Sequence, residues 1–315
     1  MKPVAALQEE NLFHQVVCRP ALPLDFPGML ELTSQIWEGD DYVPQAWQAW
    51  LSDPDGLLAV AEYKSKLVGL GKLTKLSEQD WWLEGLRVHP QFEGRGIASR
   101  IHRYLLENWE TNGSGTIRFA TVSIREPVKH LARVNGFHIA GEYSTFKGSS
   151  RIGSLENSGS FKQIEVHENQ EVVDWFAAHS MERLSFGLIN LGWQFAPPQE
   201  NYLAKYLEDQ QIWWWMQDRG VLFLVEKKDG ADTWGRIRQL ACDPIDLVAL
   251  LSDTFILADR YGYAGITWLA PMIPGIENIA AEAGFQRDWD SSLLVFENAS
   301  VITDSLEIWP RHSPS

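Results

Sequence analysis

From Leu83 to Ala98 the chain reads Leu-Glu-Gly-Leu-Arg-Val-His-Pro-Gln-Phe-Glu-Gly-Arg-Gly-Ile-Ala. In order, this is a strand, a proline-marked turn, a glycine loop and the start of a helix. Ile97, Ile101 and Leu105 then recur at helical spacing, with Tyr104 beside them. Glycines at the turn let the backbone approach a ligand closely. The first amides of the helix have no partner within it and point into the loop. Loop and helix start together make a site suited to an anion, a phosphate above all. The plain alternative is a surface strand-turn-helix whose glycines serve only the turn. The unbroken order of strand, proline, glycines, alanine and helix favours the ligand reading.

Several nucleotide-binding loops share this outline. A P-loop needs Gly-Lys-Ser or Gly-Lys-Thr, which the segment lacks. A Rossmann fingerprint needs a third spaced glycine and a later acid on the following strand, so Gly94-x-Gly96 is a weak match. The complete string, Val88-x-Pro90 followed by Gly94-x-Gly96-x-Ala98, resembles the acetyl-CoA loop of the GCN5-related N-acetyltransferase (GNAT) superfamily. The resemblance implies that Leu86, Arg87, Val88, Glu93, Gly94, Arg95, Gly96, Ile97 and Ala98 bind acetyl-CoA, the acetyl donor. Loop amides would hold the pyrophosphate, and the preceding strand would lie along the pantetheine arm. Glu93 departs from the pattern, which usually has Arg or Gln there. An acid at that point opposes a polyphosphate, and Arg87, Arg95, Arg100 and Arg103 partly offset it.

The chain has 315 residues and a formal net charge of −15. The acidic balance argues against nucleic acid as a partner. No apolar stretch is long enough to span a membrane, and Glu9 and Glu10 argue against a leader peptide. Cys18 and Cys242 stand far apart with no metal or redox spacing, which fits a reducing cytoplasm. No His/Asp/Glu spacing points to a metal, and His89, His130 and His138 read as turn or surface residues. Most of the 15 tryptophans read as packing.

Length suggests two domains. The first alternates strand and helix: strands at Gln15–Arg19, Leu57–Tyr63, Leu67–Leu73, Asp80–Val88 and Thr116–Ile124, and helices at Pro27–Glu38, Gln45–Leu51, from Ile97 to about Glu110, and Pro127–Asn135. A helix between Asp80–Val88 and Thr116–Ile124 predicts parallel neighbours. A Gly/Ser-rich segment follows and reads as a linker. The second half repeats the order, with a helix at Pro244–Tyr261 and a last strand at Leu293–Glu297 that ends the sheet. Its counterpart of the glycine loop, Ala241-Cys242-Asp243-Pro244-Ile245-Asp246, has no glycine. The expected fold class is α+β (α/β): two tandem acyl-CoA N-acyltransferase folds with mixed central sheets flanked by helices, the second degenerate. The expected division is residues 1–147, a linker 148–160, and 161–315.

Trp37–Pro44, Leu83–Pro90 and the Thr233-Trp234 strand also look like the histidine N-acetyltransferase-like subgroup. The chemistry implied is attack of an amine on a thioester, with the carbonyl held by backbone amides near Leu86 and a base to take the amine's proton. Glu84 matches the acidic position carried by many family members and is the candidate base. Trp81, Trp82 and Leu83 would bury it and raise its pKa. The family's proton-donating Tyr is Ala132 here, and the Asn that often opens that helix is Glu126. Tyr42 and Trp47 are the expected substrate-binding residues. The acceptor is then a small-molecule primary amine, with the α-amine of a free amino acid as the candidate. A cofactor-binding sensor without turnover, or an enzyme acting on polyamines or amino-sugar antibiotics, stays open, as does the oligomeric state.

Overall fold

The computed structural model describes residues 15–149, 160–178 and 185–299. The Glu9-Glu10 segment and most of the predicted linker lie outside these residues.

The first half runs β1 (Val17–Pro20), α1 (Phe26–Thr33), α2 (Val43–Leu51), β2 (Leu57–Tyr63), β3 (Lys66–Lys75), β4 (Asp80–Val88), α3 (Ile97–Asn112), β5 (Thr116–Val122), α4 (Glu126–Val134) and β6 (His138–Ser149). The second runs β7 (Phe161–Gln163), α5 (Asn169–Ala178), β8 (Ile189–Asn190), β9 (Phe195–Ala196), α6 (Glu200–Glu208), β10 (Ile212–Trp215), β11 (Gly220–Asp229), β12 (Asp232–Cys242), α7 (Leu247–Tyr261), β13 (Gly265–Pro271), α8 (Ile276–Glu282), β14 (Gln286–Arg287) and β15 (Leu293–Ala299). α1 stops at Thr33 rather than at the predicted Glu38: Ile36 is extended, with φ −112° and ψ 133°, and Trp37 and Glu38 then take positive φ values of 47° and 58°.

Twelve strands form one continuous order, β1-β2-β3-β4-β5-β15-β6-β13-β12-β11-β10-β7, and β14 also pairs with β6. The order reads alike from both ends. From either edge come antiparallel neighbours, and then one parallel pair, β4–β5 or β12–β13. The last strands of the halves are exchanged: β15 lies antiparallel against β5 and β6 against β13. Leu293–Glu297 therefore does not end the sheet, as expected from sequence, but fills its centre. Val295 and Phe296 bury their side chains there. The halves are thus separated in sequence and interleaved in the sheet.

α3 buries Ile97, Ile101, Leu105 and Trp109 against one face of the first half, over Ala59, Leu73 and Leu83. Each aliphatic side chain so buried contributes about 1.5–3 kcal/mol. α1 and α2 cover the opposite face through Met29, Leu32, Val43 and Trp47, packed on Leu58, Val60 and Leu70. In the second half α7 packs on Leu222, Ile237 and Ile266, while α5 and α6 lie on Val221 and Phe223. These layers leave the space between β4 and β5 as the open seam.

Candidate active site

β4 and β5 pair only from Asp80–Thr116 to Trp82–Arg118 and then diverge. The closed end of this V is held by buried charge: Arg118 donates to Asp80 Oδ1 at 2.7 Å and to Glu297 Oε2 at 3.0 Å, and Gln199 donates to Asp80 Oδ2 at 2.9 Å. Just beyond, the pairing of β3 with β4 skips from Leu70–Arg87 to Lys72–Glu84, so Gly85 and Leu86 stand opposite Gly71 alone. This is a β-bulge, and Gly85 takes the φ of +66° that it requires. A Cβ at Gly85 would also stand 2.6 Å from the Trp50 ring. The bulge turns the backbone at Gly85 and Leu86 toward a cleft of about 670 Å³ lined by Leu83–Arg87, Phe119–Val122 and residues of both halves.

β4 lines the cleft as far as Arg87, and after Val88 the chain turns into α3. Gly94 and Gly96 have φ of +74° and +77°, and Gly96 is the cap residue of the helix. No side chain caps the α3 start, which leaves its first amides facing outward. The preceding turn is braced locally. His89 Nδ1 accepts from the Gln91 amide at 3.2 Å, Phe92 packs edge-on against His89 and Tyr63, and the Arg95 guanidinium lies over Phe92 at 5.6 Å. Glu93 and Arg95 are exposed, Val88 and Ala98 half-buried, and Ile97 is a core residue beneath them. The open amides and the empty space around the Gly94 Cα fit a pyrophosphate, and the apolar cleft that follows fits a pantetheine arm.

At the other end stands Glu84, facing the α1–α2 side. Its Oε1 accepts from Thr74 Oγ1 at 2.7 Å and from Gln194 Nε2 at 3.1 Å. Burial raises its pKa above the ordinary carboxylate value, and the two hydrogen bonds and the Lys72 charge only partly oppose this. Lys72 is fully buried on the facing strand, where its ammonium pairs with Asp53 and donates to the Leu73 carbonyl at 2.7 Å. Trp37, Tyr42, Gly192 and Trp193 complete the lining here.

Of the residues expected from sequence, Trp47 stands elsewhere and Arg87 has its side chain engaged. Trp47 is 1% exposed and belongs to the core under α2, not to the cleft. α2 turns that side chain inward, and Trp50, one helical turn on, meets Tyr42 edge-on at 5.9 Å. Arg87 lines the cleft, but its side chain is committed to Asp41, with Nε and Nη2 donating at 2.8 and 3.0 Å, and it lies under the rings of Trp37 and Tyr42. Its guanidinium organises the Tyr42 loop, and what it offers a cofactor is backbone. Tyr42 does line the cleft.

Sequence reasoning missed Trp37, His102, Arg125, Trp193 and Gln194. The last two sit in the β8–β9 hairpin, whose turn is shaped by Asn190 Oδ1 accepting from the Gly192 and Trp193 amides at 2.9 and 3.1 Å. The signal was present in Asn190-Leu191-Gly192-Trp193, an Asn/Gly turn between short apolar runs. Ala132 is buried and offers no proton donor. His102 lines the cleft from α3, 4% exposed between Phe119 and Phe137, and burial pushes its pKa down to about 4. Among the described residues its Nε2 has no hydrogen-bond partner. No group of three or more His, Cys, Asp or Glu able to hold a metal occurs among the described residues, and no helix there is long and apolar enough to cross a membrane.

Residues 26–137 match the model of the acetyltransferase (GNAT) family. Histidine N-acetyltransferase of Oreochromis niloticus is 31% identical over 84 residues, which is 26% of this chain and 25% of that protein. A human protein described as probable N-acetyltransferase 16 is 26% identical over 209 residues, 58% of this chain and 55% of that one. The chain thus spans between a quarter and about half the length of these relatives. Among solved structures, a GCN5-related N-acetyltransferase from Sphaerobacter thermophilus superposes with a TM-score of 0.59 at 12% identity, over 90% of this chain and 95% of that one. One from Kribbella flavida gives 0.57 at 13% identity, over 90% and 72%.

Proposed function

We propose, from the premise that residues 26–137 are an acetyltransferase domain of the GNAT family, that the protein transfers an acetyl group from acetyl-CoA to the primary amine of a small molecule, the α-amine of a free amino acid being the best fit. The observation that carries this is Glu84, a half-buried carboxylate with a raised pKa in a cleft along β4, the strand that leads through Gly94 and Gly96 into a helix start that no side chain caps.

Bound acetyl-CoA supplies an activated acyl group. The amides of Gly94, Gly96 and the first turn of α3 hold its phosphates, with Arg95 adding charge at the rim. The bulged backbone at Gly85 and Leu86 places amide donors where negative charge develops on a carbonyl oxygen. Glu84 accepts the acceptor ammonium's proton, directly or through water. A carboxyl with an elevated pKa is a stronger base once ionised, and Thr74 and Gln194 fix its orientation. Trp37, Tyr42 and Trp193 flank the acceptor end. Arg125, exposed on the cleft lining, is the cation available to an acceptor carboxylate, since Arg87 is engaged by Asp41.

An α-amine has a pKa of about 8 and a lysine-type amine about 10.4, so the attacking neutral form is rarer for the latter by over two units at pH 7. With Ala132 supplying no acid, the more acidic amine is the better partner. The histidine N-acetyltransferase likeness points the same way. We read the second half as a degenerate copy of the fold that walls the acceptor end, and the protein as cytoplasmic. The test is competition: free amino acids, polyamines and an aminoglycoside supplied together with acetyl-CoA, with products identified by mass spectrometry. Acetylated amino acids are expected; a dominant polyamine or aminoglycoside product overturns the acceptor assignment. The buried Ala132 favours a second reading, a cofactor-binding sensor, and binding without thiol release from any amine would establish it.

A further inference from the structure

The second half arranges positive charge against the acidic balance of the chain. On β12, Arg236 and Arg238 are both half-buried, and Arg238 feels Arg236 as a like charge. Lys227 of β11 is close enough to sense Arg236 and Lys147 as like charges, and the Lys147 ammonium lies 4.0 Å above the Trp234 ring. The acids nearest this row are Asp229 and Asp288, and neither forms an ion pair with the arginines. Among the described residues the Arg236 guanidinium makes no hydrogen bond or ion pair. Among the described residues Arg238 reaches only Asn190 Oδ1, at 3.5 Å, and its Nε is buried without an acceptor. Burial depresses the pKa of both arginines and of Lys227, and Asp229, near Arg236 and Lys227, only partly opposes it.

A guanidinium offers five donors in a planar fork that matches carboxylate and phosphate oxygens. Two such forks two residues apart on one strand, half out of water and in no ion pair among the described residues, leave a set of donors whose natural complement is an oxyanion. We propose that Arg236 and Arg238 form a binding site for a small oxyanion, carboxylate or phosphoryl, with Lys227 adding to the field. Neither arginine lines the catalytic cleft. The site lies behind the β8–β9 hairpin, where Arg238 Nη1 stands 3.3 Å from the place a Cβ on Gly192 would occupy. It stands independently of the acetyl-transfer reading.

The experiment is the thermal midpoint of the full chain without acetyl-CoA, titrated with sodium phosphate and separately with sodium acetate at ionic strength held constant by sodium chloride. A ligand that binds only the folded state raises the midpoint with its concentration. We expect a saturable rise with at least one anion. The stronger responder identifies the chemistry, phosphoryl or carboxylate. Arg236→Gln and Arg238→Gln should each weaken the apparent affinity tenfold or more, with no fall in the anion-free midpoint. Arg236→Lys keeps the charge, loses the fork, and should weaken it several-fold. A midpoint that follows neither anion beyond chloride, or glutamine variants that keep the wild-type response, overturns the proposal. So does a lost response accompanied by a lower anion-free midpoint, because the arginines would then be structural.

Discussion

After β4 the chain enters α3 through Gly94 and Gly96, and after β12 it enters α7 through Asp243, Pro244 and Asp246. Both corners follow the first strand of a parallel pair, and in both a short 3₁₀ turn begins with proline. Neither helix start is capped by a side-chain hydrogen bond, and the first has Gly94 and Gly96 before it. The second sets two carboxylates there, and Asp246 pairs with Arg219. The spaces beyond differ as sharply. The cleft between β4 and β5 measures about 670 Å³, while the cavity lined by Arg238–Leu240, Trp268, Leu269 and Pro271 measures about 10 Å³. Tyr143, Leu188, Asn190 and Phe195 fill the second, and the Tyr143 hydroxyl donates to the Ser185 carbonyl at 2.8 Å. The hairpin that plugs this cavity is the one whose tip walls the open cleft. Strand order therefore does not make a binding site; an open helix start and an unfilled gap do.

The strongest challenge to this contrast is a bulky side chain at each corner. Gly96→Trp closes the approach to the amides and demands a positive φ from a residue with a Cβ. We expect cofactor binding to fall below detection by calorimetry, with circular dichroism unchanged. Ile245→Trp, at a position 89% exposed on the second corner, should leave affinity and a stoichiometry of one per chain untouched. Two equivalents bound by the wild type would show that the acidic corner kept a site.

Next in size is Glu84→Gln, which keeps shape and removes the proton acceptor. Loss of a general base costs about 10²–10⁴-fold in turnover, and cofactor affinity should hardly change. The pH dependence carries its own sign. Because burial raises the Glu84 pKa, activity should fall on acidification along a limb lying above the ordinary carboxylate range, and the Gln variant should lack that limb. A raised carboxyl pKa contributes stability that is present below its unfolded value and lost as pH rises through its folded one. The thermal midpoint of the wild type should therefore drop relative to Glu84→Gln as pH rises through that window. Full activity of the variant at all pH values would remove Glu84 from the chemistry.

Legibility in the sequence followed the range of the interaction. β4 is read to its ends, Asp80–Val88, because hydrophobic pattern and a proline turn fix it locally. The corner into α3 is equally plain, since glycines at a turn announce positive φ. The exchange of β6 and β15 was invisible, because a strand's pattern says that it is buried but not beside which neighbour. Trp47 and Trp37 show the same limit at the site: both are tryptophans near a loop, and only the way α2 faces the sheet sends the first into the core and leaves the second in the cleft. Gln194 reaches Glu84 across 110 residues of chain, and no local spacing encodes that contact.

A smaller effect probes whether the second half shapes the acceptor end. Gln194→Ala removes a hydrogen bond to a carboxylate, and Trp193→Ala opens the wall. A hydrogen bond to a charged group is worth about 1.5–3 kcal/mol, so the acceptor KM or turnover should change by about tenfold or more, with the acetyl-CoA KM constant. Steady-state kinetics with both substrates varied would separate the two. Equal changes in both constants would mean that the hairpin supports the fold rather than the pocket.

The mildest test returns to the first corner. Glu93 is exposed beside Gly94, so its charge acts through water and salt. Removing an acid and adding a cation next to a polyphosphate favours binding, but exposed pairs contribute only about 0–1 kcal/mol each. Glu93→Arg should thus tighten cofactor affinity a few-fold at low salt and less at 0.5 M, which calorimetry at two ionic strengths would resolve. The same reversal at Asp243 should leave affinity unchanged at either salt, since the second corner has no phosphate to attract. Weaker binding by Glu93→Arg would mean that the acid holds the loop in shape, and the amides alone would then account for the grip.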